Sequence, residues 1–187
     1  LQLVNSFDEI KQDYFVYEDG ILCFKNLATG ESLGPFDFAK HWNYHKKKNY
    51  RLKNEIFARA IGIKNINEYH AVWDITCGTG KDFILLKSYG ANVYGFERSL
   101  ISGILLLEAK HRFELDNAEL QLLPIHLIDP SRDDIGENIP APKVIYYDPM
   151  YEFASIKSAP RKEMQAFRKL IGSDPDILVV LEWALNT

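Results

Sequence analysis

Cysteine is scarce in this chain: of 187 residues only Cys23 and Cys77 are cysteines. Two cysteines cannot build a disulfide framework, and their spacing fits no metal site. The five histidines are scattered and share no metal-ligand spacing either, so no metal is expected. Long apolar runs are missing as well. None approaches the roughly 18–20 residues a membrane span needs, and no leader-like segment opens the sequence. A cytoplasmic protein without membrane attachment is the expectation. What is plentiful is apolar and aromatic residues, at 47% and 13%. That composition supports one sizeable core and argues against disorder.

The formal net charge is −4, which excludes an all-over basic nucleic-acid binder. The distribution is more informative. Residues 45–53 contain Lys46, Lys47, Lys48, Arg51 and Lys53 and no acid. Residues 157–169 contain Lys157, Arg161, Lys162, Arg168 and Lys169 against Glu163 alone. Two basic segments on an acidic body suggest a face for a polyanion. Solvated helix surfaces are the plainer alternative.

Short aromatic and β-branched runs, Tyr14–Tyr17 and Ile21–Leu27, flank Glu18-Asp19-Gly20 and predict a hairpin. Leu33–Ala39 is expected to add a third strand. The basic segment 41–53 then leads into a helix near Asn54–Ile61, which Gly62 stops. From there strands and helices alternate: strand Ala71–Ile75, helix Lys81–Ser88, strand Asn92–Phe96, helix Ser99–Phe113 with Ser99 as N-cap, and strands Leu122–Ile128 and Val144–Tyr147. This order predicts an α/β, doubly wound, mostly parallel sheet. Pro160–Ile171 reads as a helix. Ile177–Trp183 reads as a strand by its β-branched content, or as a helix capped by Asp174 with Pro175 at its first position; the cap favours helix. The division expected is 1–52, a small N-terminal β annex with the basic segment, and 53–187, the core.

The candidate chemistry begins at Asp74-Ile75-Thr76-Cys77-Gly78-Thr79-Gly80-Lys81-Asp82. An apolar strand enters a glycine turn and a helix opens directly after it. Ligands of doubly wound sheets bind at such strand ends. Gly78 and Gly80 would let backbone approach a ligand closely. The third glycine of a dinucleotide cradle is missing, so a cofactor without a pyrophosphate fits better. Asp74 is expected to orient the loop or to face a cationic group. Lys81 and Asp82 open the helix, where Asp82 gains from the positive helix end. Glu97 closes the next strand, and its carboxylate can accept from both hydroxyls of a ribose. Arg98 is placed to cover an adenine, and Asp129, after the third strand, to meet its amino group. A bare tight turn and solvent-exposed acids are the plainer alternatives. Cys77 is expected to be a small packing residue rather than a reactive thiol.

Asp148-Pro149-Met150-Tyr151 is the sharpest element. It resembles the (Asp/Asn)-Pro-Pro-(Tyr/Phe) motif of enzymes that methylate exocyclic amines with S-adenosylmethionine (AdoMet), with Met150 replacing the second proline. Such an amine is a poor nucleophile because its lone pair is delocalised into the ring. A carboxylate hydrogen-bonded to its N–H raises electron density on nitrogen and later accepts the proton. The proline stiffens the turn, and Tyr151 offers a stacking face for an extruded base. Asp148 and Tyr151 are therefore the catalytic candidates.

With these residues in view, the chain from about Leu33 to Ala184 resembles the bacterial 16S ribosomal RNA guanine-N2 methyltransferase family (RsmJ). The resemblance rests on Leu33-Gly34, the basic run after His45, Ala58-Arg59-Ala60-Ile61-Gly62-Ile63-Lys64, Asp74–Asp82, Glu97-Arg98, Asp148–Tyr151, and Lys157 through Gly172. It implies a Rossmann-like class I methyltransferase, with AdoMet contacts at Lys81-Asp82, Glu97-Arg98, near Ile128-Asp129 and at Asp148. It also implies 16S rRNA or the small ribosomal subunit as partner. The chain departs from the family in the glycine turn, which usually reads Ala-Gly-Leu-Gly-Arg-Asp, in Glu152 where a proline is usual, and after the basic run, where a glycine-rich stretch is usual. The strand and Lys-Arg-Pro segment expected after the last helix are absent, so a shortened chain is expected. The expectation is methyl transfer to a guanine N2, with Lys46, Lys47, Lys48, Arg51, Lys157, Arg161 and Lys162 on RNA. Two other readings stand beside it: an amino-methyltransferase for DNA adenine or protein, and a non-catalytic RNA-binding Rossmann protein.

Overall fold

The computed structural model describes residues 12–48, 51–65, 70–118, 120, 122, 124–129, 139–149, 162–172 and 177–186. The chain forms two compact units, residues 1–35 with 150–173 and residues 36–149 with 174–187.

In the first unit β1 (Tyr14–Glu18) and β2 (Ile21–Lys25) form the expected hairpin. Asp19 and Gly20 at its tip both have positive φ, 51° and 78°, as a two-residue hairpin turn requires. β3 (Ser32–Leu33) pairs antiparallel with β2. Its helix α5 (Lys162–Ile171) is tied to the sheet region by an ion pair from Lys169 to Glu31.

The third strand stops at Leu33 rather than reaching Ala39, and in the second unit α1 (Phe38–Lys48) takes over what the pattern assigned to strand and basic loop. The reason is a cap. The Asp37 side chain accepts from the Lys40 amide at 2.8 Å, which satisfies a first-turn donor and starts the helix. Phe38 and Trp42, four residues apart, then share one face. Phe38 stacks on Phe83 and Trp42 meets Phe113 edge-on, with centroids 6.2 and 6.1 Å apart.

After α2 (Ile56–Ala60), four strands build a fully parallel sheet in the order β6-β5-β4-β7: β4 (Ala71–Asp74), β5 (Asn92–Glu97), β6 (Ile125–Leu127) and β7 (Pro142–Tyr146). β6 is shorter than the expected Leu122–Ile128. Every residue of β4 is buried, as a central strand covered on both faces demands. One face meets α6 (Ile177–Asn186), a helix as the capping signal indicated. Val180, Trp183 and Ala184 of α6 pack on Ala71, Trp73 and Phe96. Trp183 lies 6.3 Å from Trp73 and 5.5 Å from Phe96, centroid to centroid. Burying each such ring contributes about 1.5–3 kcal/mol or more. α3 (Lys81–Ser88) and α4 (Leu100–Asp116) follow β4 and β5, and α3 buries Phe83, Ile84 and Leu86. Ser99 caps α4 as expected, accepting from the Ser102 amide.

The chain runs outward from β4 to β5 to β6, then returns to the far side of β4 for β7. The strand order reverses at β4, and in open α/β sheets the ligand crevice lies at that reversal, beyond the carboxyl ends of the strands.

Candidate active site

Asp74 ends β4 and is fully buried. One carboxylate oxygen, Oδ1, accepts from the Thr76 amide at 3.2 Å. The other, Oδ2, has no hydrogen-bond partner among the described residues. Burial pushes this carboxyl up to about 8, opposed by the Thr76 amide and reinforced by the negative charges of Asp82 and Glu97. A buried acid with an unmet oxygen and two acidic neighbours is prepared for a cation.

Glu97 ends β5 and is also buried. Its Oε2 accepts from the Gly78 amide at 2.8 Å and its Oε1 from the Ser99 amide at 2.7 Å. The carboxylate thus braces the glycine loop and the entry to α4 together. Ser102 closes the arrangement by donating its hydroxyl to the Gly78 carbonyl. Backbone links reach β6 too: the Ile128 amide donates to the Glu97 carbonyl at 3.0 Å.

Asp148 follows β7. Its amide donates to the Thr76 hydroxyl at 2.8 Å, which joins the β7 tip to the β4 tip, and its side chain is exposed. Asp82, in the first turn of α3, is coupled by charge to both Asp74 and Asp148. Burial raises the Asp82 carboxyl, while a hydrogen bond from the Tyr146 hydroxyl, 3.0 Å from Oδ2, opposes that rise. Tyr146 is itself raised, first by burial and then by Asp82.

The carboxylates of Asp74, Asp82, Glu97 and Asp148 therefore share one locus at the carboxyl ends of three neighbouring strands. Lys81 and Arg98 are half-buried beside Asp82 and Glu97 in the chain, and Asp129 is exposed beyond β6. His45, on the last turn of α1, is near enough to Asp82 for their charges to couple; burial lowers it and Asp82 opposes that. The same turn carries Lys46, Lys47 and Lys48, all exposed, with Lys48 4.9 Å above the Tyr44 ring. Arg51 is exposed as well. Tyr151, Lys157, Arg161 and the side chain of Lys162 lie outside the described residues.

One glycine has a packing role in addition to the one expected. Gly80 has φ +75°, and a Cβ there would lie 2.4 Å from Phe38 Cε1 and 2.9 Å from Leu106 Cδ2. Its Cβ side is filled by the protein core, so it serves packing and the left-handed cap of α3. Gly78, φ +53°, is the glycine held by Glu97. Cys77 is a packing residue: its sulfur would sit 2.7 Å from a Cβ on Gly95, and burial raises its thiol well above the ordinary range.

Sequence reasoning missed Tyr146, Thr76, Ser102 and His45. Tyr146 had a usable signal. It lies two residues before Asp148, and alternation along a strand puts both on one face. Tyr147, between them, packs instead against the Trp73 cluster.

With this geometry in hand, comparison with known proteins is decisive for the family. Residues 7–187 match the family model described as "Putative SAM-dependent methyltransferase". The chain belongs to this family. Among its methyltransferase relatives, the ribosomal RNA small subunit methyltransferase J of Buchnera aphidicola is 38% identical over 149 residues, covering 78% of this chain and 60% of the relative. The protein of the same name from Bdellovibrio bacteriovorus is 35% identical over 175 residues, covering 92% and 66%. This family member thus spans about 60% of the length of the first of those curated relatives. The crystal structure of a SAM-dependent methyltransferase from Neisseria gonorrhoeae superposes with a TM-score of 0.62 at 22% identity, over 97% of this chain and 69% of that one. That likeness bears on the fold, and it agrees with the Rossmann-like α/β class.

The cofactor named by the family fits the residues present. The Asp74 oxygen, without a hydrogen-bond partner among the described residues and buried among acids, suits an α-ammonium group, and the Glu97 carboxylate stands at the next strand tip. Among the described residues no group of three or more His, Cys, Asp or Glu could hold a metal, and no helix is long and apolar enough to cross a membrane.

Proposed function

We propose that this chain is an AdoMet-dependent methyltransferase acting on the exocyclic N2 of a guanine in 16S ribosomal RNA, in the cytoplasm. The observation that carries the reading is the convergence of Asp74, Glu97 and Asp148 at adjacent strand tips, with Asp82 coupled to the first and the last. The relatives' names support ribosomal RNA as the acceptor.

Residues 53–187 carry the cofactor chemistry in this reading, and residues 1–52 contribute the annex and the basic helix. Asp74 holds the ammonium group of AdoMet. Glu97 takes ribose hydroxyls, and Lys81-Asp82, Arg98 and Ile128-Asp129 line the adenosine. The bound cofactor supplies an electrophilic methyl on a sulfonium. Asp148 would accept a hydrogen bond from the guanine amine and hold it toward the methyl group that the cofactor would supply. Methyl transfer to that nitrogen would leave the sulfonium's bonding pair on sulfur as a neutral thioether. The proton left on nitrogen passes to Asp148, which is exposed and can release it to water. Alignment of this kind can contribute about 7–11 kcal/mol. Tyr151 stacks on the base, and Lys46–Lys48, Arg51, Lys157, Arg161 and Lys162 hold phosphates.

Methyl-labelled AdoMet offered with 16S rRNA, duplex DNA and a protein extract tests the reading. Label in rRNA that digests to N2-methylguanosine is the expected result. Label only in DNA or protein would move the acceptor elsewhere. RNA binding with no S-adenosylhomocysteine affinity by calorimetry would refute catalysis altogether.

A further inference from the structure

The segment from Ala58 to Lys64 lies outside the carboxylate cluster, yet it encloses a space. Leu52, Ala58, Arg59, Gly62, Ile63 and Lys64 line a cavity of about 180 Å³. Ala58 and Ile63 are buried and give it an apolar floor, while Arg59 and Lys64 are exposed at its mouth. Among the described residues neither cation has a carboxylate at ion-pair distance. Gly62 turns the chain with φ +65°, and a Cβ there would meet nothing within 4 Å, so this wall is bare backbone. The volume is below the roughly 300–1,000 Å³ of a whole small-molecule pocket. It suits one moiety, such as the sugar or base of a nucleotide whose phosphate lies at the rim.

The cavity is anchored to the acceptor strand. Phe57, next to Ala58 on α2, sets its ring against Tyr146 edge-on at 5.1 Å and near Tyr89 at 6.2 Å. Tyr146 precedes Asp148 by two residues. A group held on α2 therefore has a defined relation to the base held at Asp148. Arg51 and Lys53, both exposed, add positive charge just upstream of the cavity.

We propose that this cavity is a subsite for a single-stranded RNA nucleotide flanking the acceptor guanine. Arg59 and Lys64 take its phosphate, and Leu52, Ala58 and Ile63 take the face of its sugar or base. Single-stranded RNA is held by a positively charged groove together with surfaces that take its base faces; here Arg59 and Lys64 supply the charge and the surface is aliphatic. The assignment rests on RNA being the acceptor.

The test is fluorescence anisotropy with a labelled single-stranded fragment of 16S rRNA, titrated at several salt concentrations. Arg59→Glu and Lys64→Glu, alone and together, are compared with Lys143→Glu, a charge change at an exposed β7 residue. Loss of one phosphate contact should lower the salt dependence by about 0.7 for a single strand. The double variant is expected to bind RNA at least about tenfold more weakly than Lys143→Glu does, with unchanged S-adenosylhomocysteine affinity and thermal midpoint. Arg59→Lys should recover most of the affinity. Cavity variants that match Lys143→Glu in affinity and salt slope, while the parent binds RNA, would overturn the subsite and leave the RNA reading standing. A parent that binds S-adenosylhomocysteine and no RNA would remove both.

Discussion

The Tyr146 hydroxyl donates to the Asp82 carboxylate at 3.0 Å, tying the strand that leads to Asp148 to the first turn of the helix after the glycine loop. One bond thus connects the proposed acceptor side of the site with its cofactor side. It also opposes the rise that burial imposes on Asp82.

Tyr146→Phe should therefore raise the Asp82 carboxyl further. Asp82 should then lose its charge at a higher pH than in the parent. Affinity for S-adenosylhomocysteine should drop more at the acidic end of a pH series than at its alkaline end, by up to about tenfold, the loss of a hydrogen bond to a charged group being about 1.5–3 kcal/mol. Calorimetry across that range decides it. An equal loss at every pH would mean that Tyr146 only packs.

Asp74 makes a prediction about stability. Its folded-state value of about 8 lies above the ordinary 3.8, so between those values the folded chain binds more protons than the unfolded one. Its contribution to the stability of the ligand-free protein therefore falls as pH rises through that window, by about 1.4 kcal/mol per unit of pH at most. Asp74→Asn should remove this component, read as a smaller change in urea midpoint between pH 5 and pH 8. Binding a cation at Asp74 should also expel its proton. At pH 6.5 the heat of S-adenosylhomocysteine binding should vary with the buffer's ionisation enthalpy in the parent and vary less in Asp74→Asn. Identical buffer dependence in both would remove Asp74 from the cation site.

Glu97 and Asp148 should separate cleanly. Glu97→Gln turns an amide group towards a backbone N–H, because both carboxylate oxygens accept from amides. It should cost about 1–3 kcal/mol of stability and weaken cofactor binding. Asp148→Asn keeps the backbone bond to Thr76, so S-adenosylhomocysteine affinity should stay within about threefold while methyl transfer falls by about 10²-fold or more. Full turnover in Asp148→Asn would end its catalytic assignment.

Gly80 and Gly90 test the packing argument. Both have positive φ, but only at Gly80 would a Cβ collide with neighbours. Gly80→Ala should cost about 2–4 kcal/mol, from backbone strain together with overpacking against Phe38 and Leu106. Gly90→Ala carries the strain alone, about 1–2 kcal/mol. Chemical denaturation of the two variants gives the comparison directly, and equal losses would show that the clash at Gly80 is relieved by movement of Phe38.

Much of the architecture was legible because local and global signals agreed. The hairpin at Asp19-Gly20, the Ser99 cap, the alternation that gave a parallel sheet and the helical reading of residues 177–186 all follow from rules that act within a few residues. α1 was misread because aromatic residues after Pro35 resemble a strand, although Asp37 three residues before Lys40 is the signature of a cap. The packing role of Gly80 was not legible because a glycine's conformation can be anticipated, whereas the group filling its Cβ side comes from Phe38, forty-two positions earlier.

The amino-acid order alone settled which residue types stand at the strand ends: Asp74, Glu97 and Asp148, each closing an apolar run. Only tertiary packing decided what those carboxylates touch. Glu97 accepts from the backbone amides of Gly78 and Ser99, Asp74 Oδ2 has no hydrogen-bond partner among the described residues, and Asp82 is joined to Tyr146, sixty-four residues away. A strand end is written in neighbouring residues, but the partner of a buried acid depends on which distant segments the core brings against it.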